Sequence, residues 1–456
     1  MSTRLRPGFI AAALGLCAAL AVGSASADVA IPYTRSTLPN GMTVILHENH
    51  DVPIVVVNIS YGVGSRHEAA GRTGFAHLFE HLMFMGTRRV PTKAFDAWME
   101  GAGGWNNAWT SSDRTDYYDV GPPSSLDLLL WMEADRLRDL GPLMTLEKLD
   151  AQREVVRNER RQTSENTPYG KVELRLPELL YPEGHPYHHP VIGSHADLEA
   201  ATVDDVKGFF AKNYDPANAS LVVAGDFDAA RTKARVEQLF GAIPSRGAPS
   251  DPGAPGFSDT KTTLTGVVRE TLEDNVELEK VVMAWQTPKH FAPGDAELDL
   301  LATALATGKA SRLYKALVYE QKLAQSVEAG QDSGQLGSHF EIGVIARPGV
   351  SLDRIEAAIE KELEAMRKRP MNDDELVRAK NLVETGFVTR LESVRERASL
   401  LNMYQAEMKD PGYAAKDLER YRTATKEGIR DVAAKYLVPD ARVVLRVVPT
   451  KKGKGK

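Results

Sequence analysis

At 456 residues the chain is too long for one ordinary core, and its length fits two to four domains. Its 43% hydrophobic and 26% charged residues are those of a globular protein, which excludes disorder as the starting assumption. A net charge of −6 gives no footing for nucleic-acid binding, and the basic run 451–456 is too short to read as more than a solvated tail. In chain order, residues 1–27 come first. Arg4 and Arg6 precede an apolar run over 9–22 and the small-residue site Ala25-Ser26-Ala27, which together read as an export signal. The mature chain is therefore expected to begin near Asp28, in the periplasm. The apolar run is too short for a comfortable membrane span, so no stable membrane anchor is expected. Cys17, the only cysteine, lies inside this signal, with Leu16 before it where a lipoprotein signal would want a small residue. The mature chain then has neither disulfides nor thiol ligands, and any metal must be held by His, Asp or Glu.

A turn at Asn40-Gly41 leads into a strand over 43–46, and the β-branched run 54–61 predicts a second strand. A polar loop over 62–74 leads to the densely apolar stretch 75–85, which neither Gly nor Pro interrupts and which predicts a buried helix. On it His77 and His81 stand one turn apart on one face, so both imidazoles can reach one metal ion. Glu80 lies beside them, placed to take a proton from a water without being a ligand. His-x-x-Glu-His is the reverse of the zinc motif His-Glu-x-x-His. The plain alternative is a core in which the three side chains satisfy one another, but a packed helix is a costly place for three titratable groups unless a metal pairs them.

A helix over 92–100 stops at Gly101, Gly103 and Gly104, and residues 105–120 have strand character at both ends with a turn between. A hairpin fits, and an exposed edge there could accept an extended peptide as an added strand, although an ordinary edge hairpin satisfies the same residues. Helices follow over 126–140 and 146–165. The second contains Glu147, Glu154, Glu159 and Glu165, any of which could complete a three-ligand site, and spacing does not choose among them. Their plain role is a solvated face paired with Arg153, Arg157, Arg160 and Arg161. The cluster His185, His188 and His189 is interleaved with prolines and lacks helical spacing, which favours a surface loop over a metal site. A helix over 203–214, a buried strand over 219–225 and a helix over 228–240 end the first half.

Residues 243–260 are rich in Pro, Gly, Ser and Asp and are read as a linker between residues 28–242 and 261–456. The second half repeats the order of the first: a strand over 280–285, helices over 296–307 and 311–320, a strand over 340–346, helices over 352–367 and 373–407, a final helix, and a strand over 442–448. Where the first half has its two-histidine helix, the second has Glu297-Leu298-Asp299-Leu300-Leu301-Ala302, without histidine. The fold class expected is α+β, with two similar halves, each a mixed sheet covered by helices, enclosing a chamber. Only the first half is expected to carry chemistry.

From about Leu38 to Val448 the chain resembles the pitrilysin family of inverted zincins, in particular its half-length branch that includes mitochondrial processing peptidase. Carried over residue by residue, the resemblance implies Zn2+ held by His77, His81 and Glu159, with Glu80 activating the water. Residues 153–161 resemble the family's third-ligand helix, with Glu159 at the ligand position. Residues 104–110 resemble its substrate-binding edge strand, with Asn107 and Ala108 at the positions that approach the peptide backbone. Gln152 stands where many relatives are acidic, and it and Glu154 are expected to support Glu159 from behind.

One departure bears on activity. Where the family commonly places an arginine and a tyrosine in its second half, this chain has Val318 and Gln325, with Tyr319 and Arg312 out of register. A related subunit, as a heterodimer or homodimer, is therefore expected to supply the missing donors. The function implied is a zinc-dependent endopeptidase acting on extended or unfolded peptides in the periplasm. The alternative is a non-catalytic peptide-binding or scaffold subunit of the same fold.

Overall fold

The computed structural model describes residues 29–249 and 264–450. The expected signal with Cys17, the later part of the expected linker and the basic tail lie outside the described residues. The first half contains strands β1 (Thr34–Thr37), β2 (Thr43–Glu48), β3 (Val55–Tyr61), β4 (Trp105–Thr110), β5 (Thr115–Gly121) and β6 (Ala219–Gly225). Its helices are α1 (Phe75–Leu82), α2 (Ala94–Gly101), α3 (Leu126–Asp139), α4 (Leu146–Arg160), α5 (Lys171–Leu180), α6 (His195–Glu199), α7 (Val203–Asn213) and α8 (Ala229–Phe240). The second half contains β7 (Val267–Asp274), β8 (Lys280–Thr287), β9 (Ala324–Asp332), β10 (Ser338–Ala346) and β11 (Arg442–Pro449). Its helices are α9 (Asp295–Ala306), α10 (Leu352–Lys368), α11 (Asp373–Leu391), α12 (Val394–Met408), α13 (Ala414–Thr423) and α14 (Lys426–Tyr436).

Strand order in the first sheet is β1-β2-β6-β3-β5-β4 and in the second β7-β11-β8-β10-β9. Apart from β1 the two orders superimpose strand for strand. Each has one parallel pair, β2 with β6 and β7 with β11, followed by antiparallel neighbours. The α+β class and the repeated halves are thus as the sequence predicts. The central strands β3 and β6 are buried along their whole length, as continuous runs such as Leu221-Val222-Val223-Ala224 require of strands covered on both faces.

That double coverage is exchanged between the halves. One face of the first sheet packs on α1, α3, α7 and α8 through Ile59, Leu78, Phe79, Leu130 and Val236. The other face, through Ile45, Val56, Val222 and Ala224, is covered by Ala398, Leu401 and Tyr404 of α12, which belongs to the second half. Reciprocally, Val172, Leu176 and Leu180 of α5 cover Val282, Ala284, Val443 and Leu445 of the second sheet. Polar contacts pin the exchange. Asn402 donates to Asn58 O at 3.0 Å and accepts from Ser220 Oγ at 2.6 Å.

Several boundaries differ from expectation. Helix α1 ends at Leu82 rather than Met85, because the chain turns toward Gly86 with its φ of +76°. The 146–165 helix widens after Arg160 into a π-turn over Arg161–Glu165, and the 311–320 helix becomes π-helical over Tyr314–Glu320. The single helix expected over 373–407 is two, broken at Glu392 and Ser393, where the Ser393 side chain caps α12.

Leu401 is fully buried between α12 and the first sheet, so Leu401→Ala should destabilise the chain by about 2–5 kcal/mol, read as a lowered urea midpoint of the first half's signal although the residue lies in the second.

Candidate metal centre

Helix α1 is preceded by Gly74, which has a φ of +87° and no side chain with which to cap it. The buried Glu68 does so instead, its carboxylate accepting from Gly74 N at 2.9 Å and Ala76 N at 2.7 Å. Nothing in the polar loop over 62–74 marks Glu68 as a cap, since it lies well before Phe75, where the helix starts. Phe75, Leu78, Phe79 and Leu82 turn inward, which leaves His77, Glu80 and His81 on the opposite side.

Helix α4 crosses this side and brings Glu159 to the histidines. Glu159 Oε2 lies 3.2 Å from His81 Nε2, Glu159 Oε1 lies 3.6 Å from His77 Nε2, and the two Nε2 atoms are 3.3 Å apart. Around a tetrahedral zinc, ligand atoms at about 2.0–2.1 Å from the ion sit roughly 3.3 Å from each other. The three spacings therefore fit an ion of that kind, and this is the only group of three such residues so disposed among the described residues. Of the four glutamates that spacing left open on this helix, the fold brings Glu159 to the histidines.

The surroundings suit the same use. Burial, with His81 beside it, lowers the His77 imidazole to about 4, so its ring is neutral and its nitrogen lone pair available near pH 7. The hydrogen bond with His81 holds the Glu159 carboxyl below the ordinary range. Burial raises Glu80, partly offset by Thr110, whose hydroxyl donates to Glu80 Oε2 at 2.5 Å. Thr110 ends the edge strand β4, and its contact with Glu80 was not readable from the sequence.

The two expected supporting residues are not brought to the site. Gln152 gives its amide to Met85 Sδ at 2.8 Å, and Glu154 faces solvent in a pair with Arg157 at 2.7 Å. Neither is bonded to Glu159; Gln152 lies two turns upstream of it, and Glu154 points off the α1 side. Asn107 and Ala108 lie on β4 at the open edge of the first sheet, and the Ala108 N–H is donated to Asn107 Oδ1 at 2.8 Å. The histidine cluster over 184–190 forms a loop. His185 stacks on Tyr181, and His188 Nδ1 meets Tyr181 O at 2.8 Å.

A chamber of about 760 Å³ opens above the site. His77, Glu80, Thr110 and Glu159 lie on its first-half side, while Asp332, His339 and Glu407 come from the second half. The tips of the two edge hairpins join at its rim. Asp113 accepts from Tyr187 Oη at 2.6 Å and from Gln335 N at 3.0 Å, and Leu336 N donates to Tyr187 Oη at 3.1 Å. Arg312 is tied to Glu375 at 2.6 and 2.7 Å, and Tyr319 is 73% exposed, so neither reaches the chamber.

A family model described as "Insulinase (Peptidase family M16)" matches residues 43–186, and one described as "Peptidase M16 inactive domain" matches residues 200–383. The chain is 30% identical over 398 residues to zinc protease PqqE of Helicobacter pylori, covering 86% of this chain and 88% of that one. A crystal structure of a protease from Helicobacter pylori superimposes with a TM-score of 0.85 at 26% identity, over 92% of this chain and 100% of that one. The periplasmic protease PqqL of Escherichia coli superimposes with a TM-score of 0.74 at 18% identity, over 92% of this chain but 48% of its own length.

After dialysis against metal-free buffer and addition of zinc, elemental analysis should find about one zinc per chain, and Glu159→Ala should weaken zinc binding by about 100-fold or more with the fold retained.

Proposed function

The chain belongs to peptidase family M16, and from that premise we propose that it is a zinc-dependent endopeptidase hydrolysing extended or unfolded peptides in the periplasm. The carrying observation is the convergence of His77, His81 and Glu159 at ligand spacing, with Glu80 beside them and an open strand edge alongside. When bound there, zinc supplies Lewis acidity, polarising a carbonyl and making water a stronger acid.

The chain's own residues do the rest. Glu80 Oε2 is engaged by Thr110, so Oε1 is the oxygen left to accept the proton of the attacking water and to deliver it to the leaving amine. Burial raises its pKa, which makes it a better base than an ordinary carboxylate. Strand β4 holds the peptide extended by main-chain hydrogen bonds, with the Ala108 N–H exchanging Asn107 Oδ1 for a substrate carbonyl. Such binding makes little demand on sequence and admits chains only in extended form. Periplasmic location rests on the export-signal pattern of residues 1–27.

A related subunit completes the reading. Among the described residues lining the chamber the only Arg or Lys is Arg114, and it is paired with Asp116 and stacked on Trp109. With no unpaired Arg or Lys among those lining residues, a cationic donor to the oxyanion would come from a related subunit. The neighbour PqqL, in which this fold fills about half the length, is consistent with two such units working side by side. A scaffold role is the second reading, favoured by the "inactive domain" model over residues 200–383, but that match lies outside His77, Glu80, His81 and Glu159.

Glu80→Gln should keep zinc and lower kcat on an unstructured peptide by about 10²- to 10⁴-fold, and full turnover by this variant would refute the assignment. Thr110→Val removes a donor that favours the ionised form of Glu80, so its pKa rises further. Since hydrolysis needs the carboxylate, the acid limb of kcat/KM should move to higher pH in a pH–rate profile.

A further inference from the structure

His47 on β2 is only 2% exposed, and it faces the same side of the first sheet as Ile45, the side that α12 covers. Both of its ring nitrogens are engaged. Nδ1 meets the Pro32 carbonyl at 2.6 Å, and Nε2 meets Arg397 Nη1 of α12 at 3.2 Å. A carbonyl only accepts and a guanidinium only donates, so Nδ1 carries the proton and Nε2 offers its lone pair. One tautomer of the neutral ring satisfies both neighbours, whereas the protonated ring satisfies Pro32 alone. We propose that His47 is an acid-sensitive latch between the halves, holding the start of α12 on the first sheet while Nε2 is bare and releasing it when Nε2 takes a proton.

Arg397 makes the latch depend on the neutral ring. Among the described residues it pairs with no carboxylate, and its Nε is buried without a hydrogen-bond partner. A proton on Nε2 would set an imidazolium N–H against this guanidinium where little water screens them. The charged groups on the surrounding elements do not offset that contact. Arg35 of β1 shares the face and gives its guanidinium to Lys409 O at 3.1 Å. Glu396 of α12 is bonded by Arg390 at 3.2 Å and by Arg395, while Glu48 and Asp226 are held by His50 at 3.2 and 2.6 Å. Asp51, after β2, favours the proton but less than Arg397 opposes it. Strand β6 and residues 31–33 add no charge near neutral pH.

Burial lowers the His47 pKa, the Pro32 bond raises it in part, and Arg397 lowers it again. A released ring regains its ordinary affinity for protons, so release binds a proton that the held ring refuses. The latch is therefore complete above the ordinary imidazole range and weakens as the pH falls through it. Because α12 begins at the break over Glu392 and Ser393, its first turn can lift without bending α11. The same helix carries Met403 and Glu407 on the chamber wall, so acid loosening reaches the chamber. This inference stands whether or not the chain is a peptidase.

The test is hydrogen–deuterium exchange of the zinc-loaded full-length chain at about pH 7.5 and about pH 5, with rates corrected for the intrinsic pH dependence of amide exchange. Protection over residues 394–401 should fall by about tenfold or more at the lower pH, while β2, whose bond to Pro32 survives protonation, stays protected. His47→Gln should abolish the difference between the two pH values, and His50→Gln, on an exposed neighbour, should leave it in place. Equal protection over 394–401 at both pH values in the unaltered chain overturns the proposal, as does a loss that persists in His47→Gln. Should His47→Gln not fold, Arg397→Met decides: without the guanidinium a protonated ring meets no cation, so the pH difference should shrink about threefold or more. An undiminished difference in that variant refutes the latch.

Discussion

Two glycines in backbone contact fix the candidate metal centre. Gly74, at the start of α1, and Gly193, in the loop before α6, approach so closely that a Cβ on Gly193 would overlap Gly74 N, and one on Gly74 would sit 2.8 Å from Ile192 O. Both have positive φ, so a side chain at either would be strained as well as crowded. The contact matters because Arg160, next to Glu159, gives its guanidinium to the Gly193 carbonyl. The loop that touches the start of the two-histidine helix therefore also holds the end of the helix that carries the carboxylate. His77, His81 and Glu159 are set in one frame by backbone packing, and the π-turn after Arg160 is where the chain absorbs the fit, with Thr163 Oγ1 donating to Glu159 O at 2.9 Å.

The exchanged helices extend that rigidity to the whole chain. Moving one half away from the other would strip α12 from Val56 and Val222 and α5 from Val282 and Leu445, baring apolar faces on both sheets at once. The bonds of Asn402 to Asn58 and Ser220 would also be left unmet in a buried place. Asp113 adds a third tie by joining the two hairpin tips. Access to the chamber is then a matter of its open side rather than of a hinge between the described halves.

What the sequence makes legible is what is local. His77, Glu80 and His81 share a helix, the runs at β3 and β6 are apolar enough to declare themselves, and the glycines before Trp105 mark the start of the edge strand. What it hides is what depends on crossings. Helix α5 went unread because Pro177 interrupts its pattern, and β7 and β9 alternate polar residues along sheet margins where little burial constrains them. The exchange of α5 and α12 has no local signature at all. Gln152 illustrates the same limit, since being two turns from Glu159 on one helix says nothing about which part of α1 each will meet, and Gln152 meets Met85.

Burial accounts for the opposite shifts of the two key groups. Taking an imidazole out of water disfavours its cation, so His77 is lowered to about 4, and taking a carboxyl out of water disfavours its anion, so Glu80 is raised. His77 thus offers a neutral ring and Glu80 a carboxyl that holds a proton more readily, and one environment produces both without a separate device for each. The cost is a core helix with three titratable groups on its outer side. Thr110 and Glu159 limit that cost by bonding Glu80 and His81, and both partners reach α1 from elements distant in the chain. Chemistry at this place therefore depends on the same long-range packing that holds the first sheet together, and a mutation far from α1 that loosens β4 or α4 should be felt as a change in acidity before it is felt as unfolding.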